Sequence, residues 1–278
     1  MSVDWQLRES GPADAEHTVL LLPGGLCGAG SFAELMAQPT LARTRLIAAT
    51  LPGHAGAPPP GDYSIENYAR LACGLAARVG ADVVTGFSIG ASVALEMAAS
   101  GGFTGRTVLL GISLSAADEP AFFHAIVGLG RVLGGLPVTV LAKGAASMVK
   151  KMPVPAERQA ELRDDLRRNV PGHVRPSLRE YRRWLCRPES HAERLCRAGS
   201  PTWIVHAEKG DGGLTGDERR VLQVCHQAHL VTIPGAVFLL PVEAPEQIAE
   251  VIIEALPASA AARSTESGVL RTARIARS

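Results

Sequence analysis

The chain is short of most features that mark a specialised partner. Its 278 residues carry 28 basic and 27 acidic side chains, a formal net charge of +1. No whole-molecule field therefore draws it to nucleic acid or to an anionic membrane. Aromatic residues make up only 4% of the chain, too few for a platform that stacks single-stranded bases. No apolar run reaches the ~18 residues that span a bilayer. The opening MSVDWQLRES has no basic segment followed by an apolar one, the pattern of a secretory signal. The five cysteines, Cys27, Cys73, Cys186, Cys196 and Cys225, are odd in number and form no C-x-x-C. That excludes a disulfide framework and favours reduced thiols in a cytoplasmic setting. No two histidines stand at H-x-x-x-H spacing, so no metal site is expected.

What is present is an alternation. Short runs rich in Val, Ile and Leu occur at Thr18–Leu22, Arg45–Thr50, Asp82–Thr85, Arg106–Ile112, Thr202–His206 and His229–Ile233. They lack a two-residue period, which is how strands covered on both faces of a parallel sheet read. Helical patterns at Ile65–Val79, Ile89–Ser100 and Pro245–Leu256 fall between and after them. Strand-helix alternation of this kind predicts an α/β fold, a mostly parallel twisted sheet with helices on both faces.

The rhythm breaks once, between about Asp118 and Ser200, where helical periodicity runs without a buried strand. We read residues 1–117 and 201–256 as two parts of one core, 118–200 as a helical cap inserted before the penultimate core strand, and 257–278 as a mobile basic tail. Residues 157–197 hold 11 Arg against 7 Asp and Glu. Most such charge is a solvated helix face with i,i+4 pairs. The alternative is a basic rim that greets an anionic substrate or a carrier protein.

The strongest motif is Gly86-Phe87-Ser88-Ile89-Gly90, directly after the strand run and before a helical pattern. G-x-S-x-G in that setting is a nucleophile elbow, a turn so sharp that side chains beside the serine must be absent. It would lift the Ser88 hydroxyl above the sheet at the positive end of the next helix. The Ile89 amide would then face a substrate oxyanion. Pro23-Gly24-Gly25-Leu26 follows the Thr18–Leu22 run, and Gly25 or Leu26 is the candidate for a second oxyanion donor.

Together these segments resemble the α/β-hydrolase family, and the likeness extends to about Leu256. LPGHAGAPPP resembles the loop after that family's fourth strand, and TWIVHAEKGDGG the strand and turn that end in its acidic triad member. TIPGAVFLLPVEAPEQIAEVI resembles the segment that holds its catalytic histidine. The resemblance implies a Ser88 nucleophile, with Asp211 as acid, Glu208 behind it, and Asp118 as the acid where it follows the preceding strand. It breaks at the base. Phe238 stands at the histidine position, and a phenyl ring can neither accept the serine proton nor deliver it to a leaving group.

Other histidines are poor replacements. His54 and His206 read as structural, and His124, at the start of the cap, is the candidate substitute base. No G-x-G-x-x-G or P-loop pattern is present, so no cofactor is implied. The apolar segment FFHAIVGLGRVLGGL implies a small-to-medium apolar substrate. Three functions fit this reading. One is an esterase or thioesterase with weak hydrolysis. Another is a non-hydrolytic enzyme of cyclase or lyase type that uses Ser88 and the oxyanion hole. The third is a ligand-binding or regulatory protein that has lost catalysis.

Overall fold

The computed structural model describes residues 3–119, 144, 147, 149, 154–210 and 213–258. Seven strands form one sheet: β1 (Leu7–Ser10), β2 (Thr18–Leu22), β3 (Arg45–Ala49), β4 (Val83–Phe87), β5 (Arg106–Leu110), β6 (Thr202–Ala207) and β7 (Ala228–Ile233). Their order is β1-β3-β2-β4-β5-β6-β7. Among the described residues only β1 runs antiparallel, against β3. The other neighbours are parallel, with Leu22 beside Gly86 and Phe87 beside Leu110 at the end of the sheet that carries the motifs. The six strands β2 to β7 match the apolar runs of the sequence, but β7, at the far edge of the sheet, is only partly buried rather than covered on both faces. The edge strand β1, LRES, is mostly exposed and has no apolar signal to betray it.

Among the described residues the helices are α1 (Ala33–Met36), α2 (Ile65–Val79), α3 (Ile89–Ala99), α4 (Ala156–Arg167), α5 (Pro171–Leu185), α6 (His191–Ala198), α7 (Gly216–Gln223), α8 (Leu240–Glu243) and α9 (Pro245–Ala255). Local chemistry explains their ends. Ser64 caps α2 by accepting from the Asn67 amide, and Gly80 closes it at φ +66°, a left-handed turn that glycine adopts without strain. Successive strand residues serve opposite cores. Leu20 and Leu22 join the layer of α2, α3 and α5, whereas Val19 and Leu21 join the layer of α9.

α5 and α6 lie inside the stretch read as a cap, yet their apolar faces pack into the α2–α3 layer. Trp184 of α5 is buried and donates from Nε1 to Glu96 Oε2 of α3 at 2.9 Å. His191 of α6 stacks on the Trp184 ring at a centroid distance of 3.6 Å. Arg194 completes the group with two hydrogen bonds of 2.8 Å to the Glu96 carboxylate. Burial would push the Glu96 carboxyl up, but these donors hold it below its ordinary value. The arginine-rich helices spend much of their charge in this way. Arg158 pairs with Glu34, Arg168 with Asp165, Arg187 with Glu66, and Arg197 with Glu189. Residues 120–143 and the tail from residue 259, read from sequence as cap and mobile tail, lie outside the described residues. No helix among the described residues is long and apolar enough to cross a membrane.

Candidate active site

Ser88 ends β4 and starts α3 at φ +51°, ψ −118°, a conformation that L-residues avoid unless the surroundings impose it. The flanking glycines show what imposes it. A Cβ on Gly86 would stand 2.2 Å from the Gly90 carbonyl oxygen, and one on Gly90 only 2.1 Å from the Leu22 carbonyl oxygen. No other residue fits either place. The Ser88 amide donates to Leu110 O of β5 at 2.9 Å, and Ser88 O receives the Ala91 and Ser92 amides that open α3. The serine itself is half-buried. Among the described residues the Ile89 amide has no acceptor, so a donor stands free at the positive end of the helix.

The loop after β2 lies directly over this turn. A Cβ on Gly24 would meet the Phe87 ring at 2.9 Å and Ser88 Cβ at 3.3 Å, and one on Gly25 would meet Ile89 Cδ1 at 2.7 Å. The two glycines thus let backbone approach Ser88 closely. Of the two residues expected to supply the second donor, Leu26 is already engaged, and this corrects the expectation for it. Its amide donates to His54 Nδ1 at 3.1 Å. Among the described residues the Gly25 amide has no acceptor.

His54 is fully occupied. Nδ1 accepts from Leu26, so Nε2 carries the proton and donates to Ser177 Oγ at 2.9 Å. Complete burial, reinforced by His173, lowers its pKa from 6.5 to about 4. It is a neutral brace between the loop after β2 and α5, and it is not available as a base. His206 is buried within β6.

The loop between β7 and α8 is firmly held, but it presents a phenyl ring. The amides of Val237, Phe238 and Leu239 all donate to the Glu243 carboxylate, at 2.6, 3.2 and 2.9 Å. The Gly235 amide donates to Glu208 at 2.8 Å, which commits that carboxylate to the loop. Lys209 N donates to Ala236 O at 3.0 Å. On this frame the Phe238 ring meets Phe87 edge to face at 5.6 Å and is 36% exposed. Its neighbour Val237 is 47% exposed. Two exposed apolar side chains therefore stand on this loop, one of them against Phe87, the residue before Ser88, where the resemblance puts the base.

The acids divide. Asp118 is buried and accepts from Leu114 N at 2.8 Å, Ser115 N at 3.0 Å and Thr215 N at 3.2 Å. Burial and the adjacent Glu218 carboxyl push its pKa up to about 7. It ties the segment after β5 to the start of α7. Asp211 and His124 lie outside the described residues. No cluster of metal-binding side chains occurs among the described residues. Sequence reasoning missed Asn169 and Ser177, which reach into the loops around Ser88, because no motif surrounds either.

A strained serine elbow under a glycine-rich donor loop, at the end of a mostly parallel sheet, defines a class of fold and site. The family described as "Alpha/beta hydrolase family" matches residues 19–251. The chain belongs to the alpha/beta hydrolase family. Among solved structures it is similar to an esterase from Thermogutta terrifontis, at 19% identity over 91% of this chain and 92% of that one, with a TM-score of 0.67. It is also similar to the N-acyl homoserine lactonase AidH, solved with N-butanoyl homoserine, at 18% identity, 91% and 96% coverage and a TM-score of 0.68. A thioesterase domain from the curacin biosynthetic pathway aligns at 18% identity, 91% and 100% coverage and a TM-score of 0.63. At these identities the likeness is one of fold. No curated protein matches the sequence.

Proposed function

We propose that the protein is an acyl-group enzyme built on Ser88. It acts on the carbonyl, ester or thioester of a small-to-medium apolar substrate, and hydrolyses it slowly because Phe238 replaces the base. One observation carries this reading. Ser88 is held in a strained turn, and beside it the Gly25 amide of the loop after β2 and the Ile89 amide at the start of α3 have no acceptor among the described residues. Strain and open donors at one point have no use in packing, whereas both are what a developing oxyanion needs.

In the reaction, Ser88 Oγ adds to the carbonyl carbon and the oxygen gains charge between the two amides. Without an imidazole the serine proton passes to water or to the leaving group. Loss of the triad base costs on the order of 10⁶ in turnover, while oxyanion hole and binding alone retain roughly 10³–10⁴ over water. Slow, Ser88-dependent acyl chemistry is the expected result. Asp211 is assigned to the acid position with no imidazole to orient, and His124 is the substitute base to test first. The printed names of similar structures, an esterase, a lactonase and a thioesterase, agree with acyl chemistry. The exposed apolar side chains of Phe238 and Val237 support an apolar substrate.

A second reading has its own support. The phenyl ring sits on a loop tied down by three hydrogen bonds to Glu243, which supports reading Phe238 as a built feature of the site. That suits a non-hydrolytic step in which Ser88 and the two amides only polarise a carbonyl. Release of p-nitrophenol from short-chain esters, and of thiol from acyl thioesters, separates the readings. Slow release that disappears in Ser88→Ala supports the acyl enzyme. Release unaffected by Ser88→Ala overturns it.

A further inference from the structure

We propose that Asn169, acting with His54, is a positioning residue for the oxyanion hole. The proposal rests on the Ser88 reading above. Three non-glycine residues among those described have positive φ: Ser88 at +51°, Leu26 at +69° and Ala55 at +45°. Such strain persists only where the surroundings over-determine it. The elbow explains Ser88. The other two meet in one side chain.

Asn169 lies just after α4. Its Nδ2 donates to Leu26 O at 2.8 Å, and its Oδ1 accepts from the Ala55 amide at 3.0 Å. The remaining polar group of Leu26, its amide, donates to His54 Nδ1. Both backbone groups of Leu26 therefore end on side chains. His54 is in turn fixed by Ser177 of α5. Asn169 is itself anchored, since Nδ2 also donates to Asp165 O at 2.9 Å. The Asp165 carboxylate accepts from the Gly28 amide, two residues further along the same loop, at 3.2 Å. The segment from α4 to α5 thus grips the donor loop at Leu26 and Gly28.

The consequence falls on Gly25. With the Gly25–Leu26 peptide held by His54 and the Leu26 carbonyl held by Asn169, the loop stays pressed against Ile89. A Cβ on Gly25 would stand 2.7 Å from Ile89 Cδ1, so little displacement is needed to spoil the geometry. Without Asn169, Leu26 is free to relax toward the negative φ that a leucine prefers. The Gly25 amide then leaves its place beside Ser88. Asn169 does not touch the reacting atoms. It sets where one donor stands.

The test is the rate of Ser88 labelling by a fluorophosphonate, measured across reagent concentrations by intact mass. Loss of an oxyanion donor costs about 10²–10³ in rate, and its displacement by Asn169→Ala is expected to lower the maximal labelling rate about tenfold or more. The half-saturating concentration should stay within about twofold, because ground-state binding is not involved. Asn169→Asp keeps the acceptor for Ala55 and loses the donor to Leu26, so it should be slowed as well. It is near-isosteric, and carries the comparison if the alanine variant does not fold. A merely structural residue would lower the melting temperature and leave the maximal rate unchanged well below melting. A folded variant labelled at the wild-type maximal rate overturns the proposal alone. Failure of the wild type to label overturns it together with the Ser88 reading.

Discussion

Two turns at the same end of the sheet invite comparison. The β4–α3 turn and the β7–α8 loop touch through Phe87 and Phe238, and both are rigidly built. In the first, two glycines and a hydrogen bond to Leu110 hold Ser88 in a strained pose. In the second, Glu243 collects three amides around a side chain with no proton chemistry. Rigidity alone therefore does not mark a catalytic residue. What separates the turns is the cost each accepts. The elbow keeps strain and unpaired donors, whereas the second loop pairs the amides around its apolar ring.

The most forceful way to break this contrast is Phe238→His, which places an imidazole on the same loop. A positioned general base contributes about 10²–10⁴-fold, so labelling of Ser88 by a fluorophosphonate should rise about 100-fold or more. An unchanged rate in a folded variant would mean that the loop does not aim its side chain at the serine.

A second probe concerns the brace that joins the donor loop to α5. His54 has a pKa of about 4 in the folded chain against 6.5 for the free group. The unfolded chain thus binds more protons between those values, and stability rises with pH across that window. Acidifying from pH 6.5 toward 4 should remove on the order of 3 kcal/mol. Denaturant titrations at several pH values measure this, and His54→Gln should flatten the slope. A wild-type slope retained in that variant would assign the acid sensitivity to other groups.

The smallest effect sharpens the comparison from the other side. Glu243→Ala removes the acceptor of three amides and should cost about 2 kcal/mol in urea unfolding. Labelling of Ser88 should be nearly unchanged, since the loop contributes no chemistry. A large loss of labelling would show that the Phe238 loop shapes the serine site.

Much of this was legible in the sequence, for definite reasons. Parallel strands buried on both faces write continuous apolar runs, so β2 to β6 could be read; β7, a partly buried edge strand, keeps enough Leu, Val and Ile to be read as well, and the elbow glycines are forced by contacts that no other residue survives. Phe238 drew attention because the family resemblance fixes where a base is expected. β1 was not, because an exposed edge strand pairs through backbone and needs no apolar side chain. The competition for the Leu26 amide was hidden too. It depends on His54, 28 residues away, and on Asn169 and Ser177, which come together only in the folded chain. The burial of α5 and α6 in the sheet's own layer was masked by their arginines. Among those of that stretch, Arg194 of α6 pairs with Glu96, and Arg187, just after α5, pairs with Glu66, both on the core helices.

The central proposal is that the elbow makes Ser88 reactive with Phe238 at the position where the resemblance puts the base. Intact-protein mass after incubation with a fluorophosphonate, for the wild type beside Ser88→Ala, tests it most directly. One adduct that forms slowly on the wild type and is absent from the variant is the predicted result. No adduct on a folded wild type, or an adduct that survives Ser88→Ala, would contradict it.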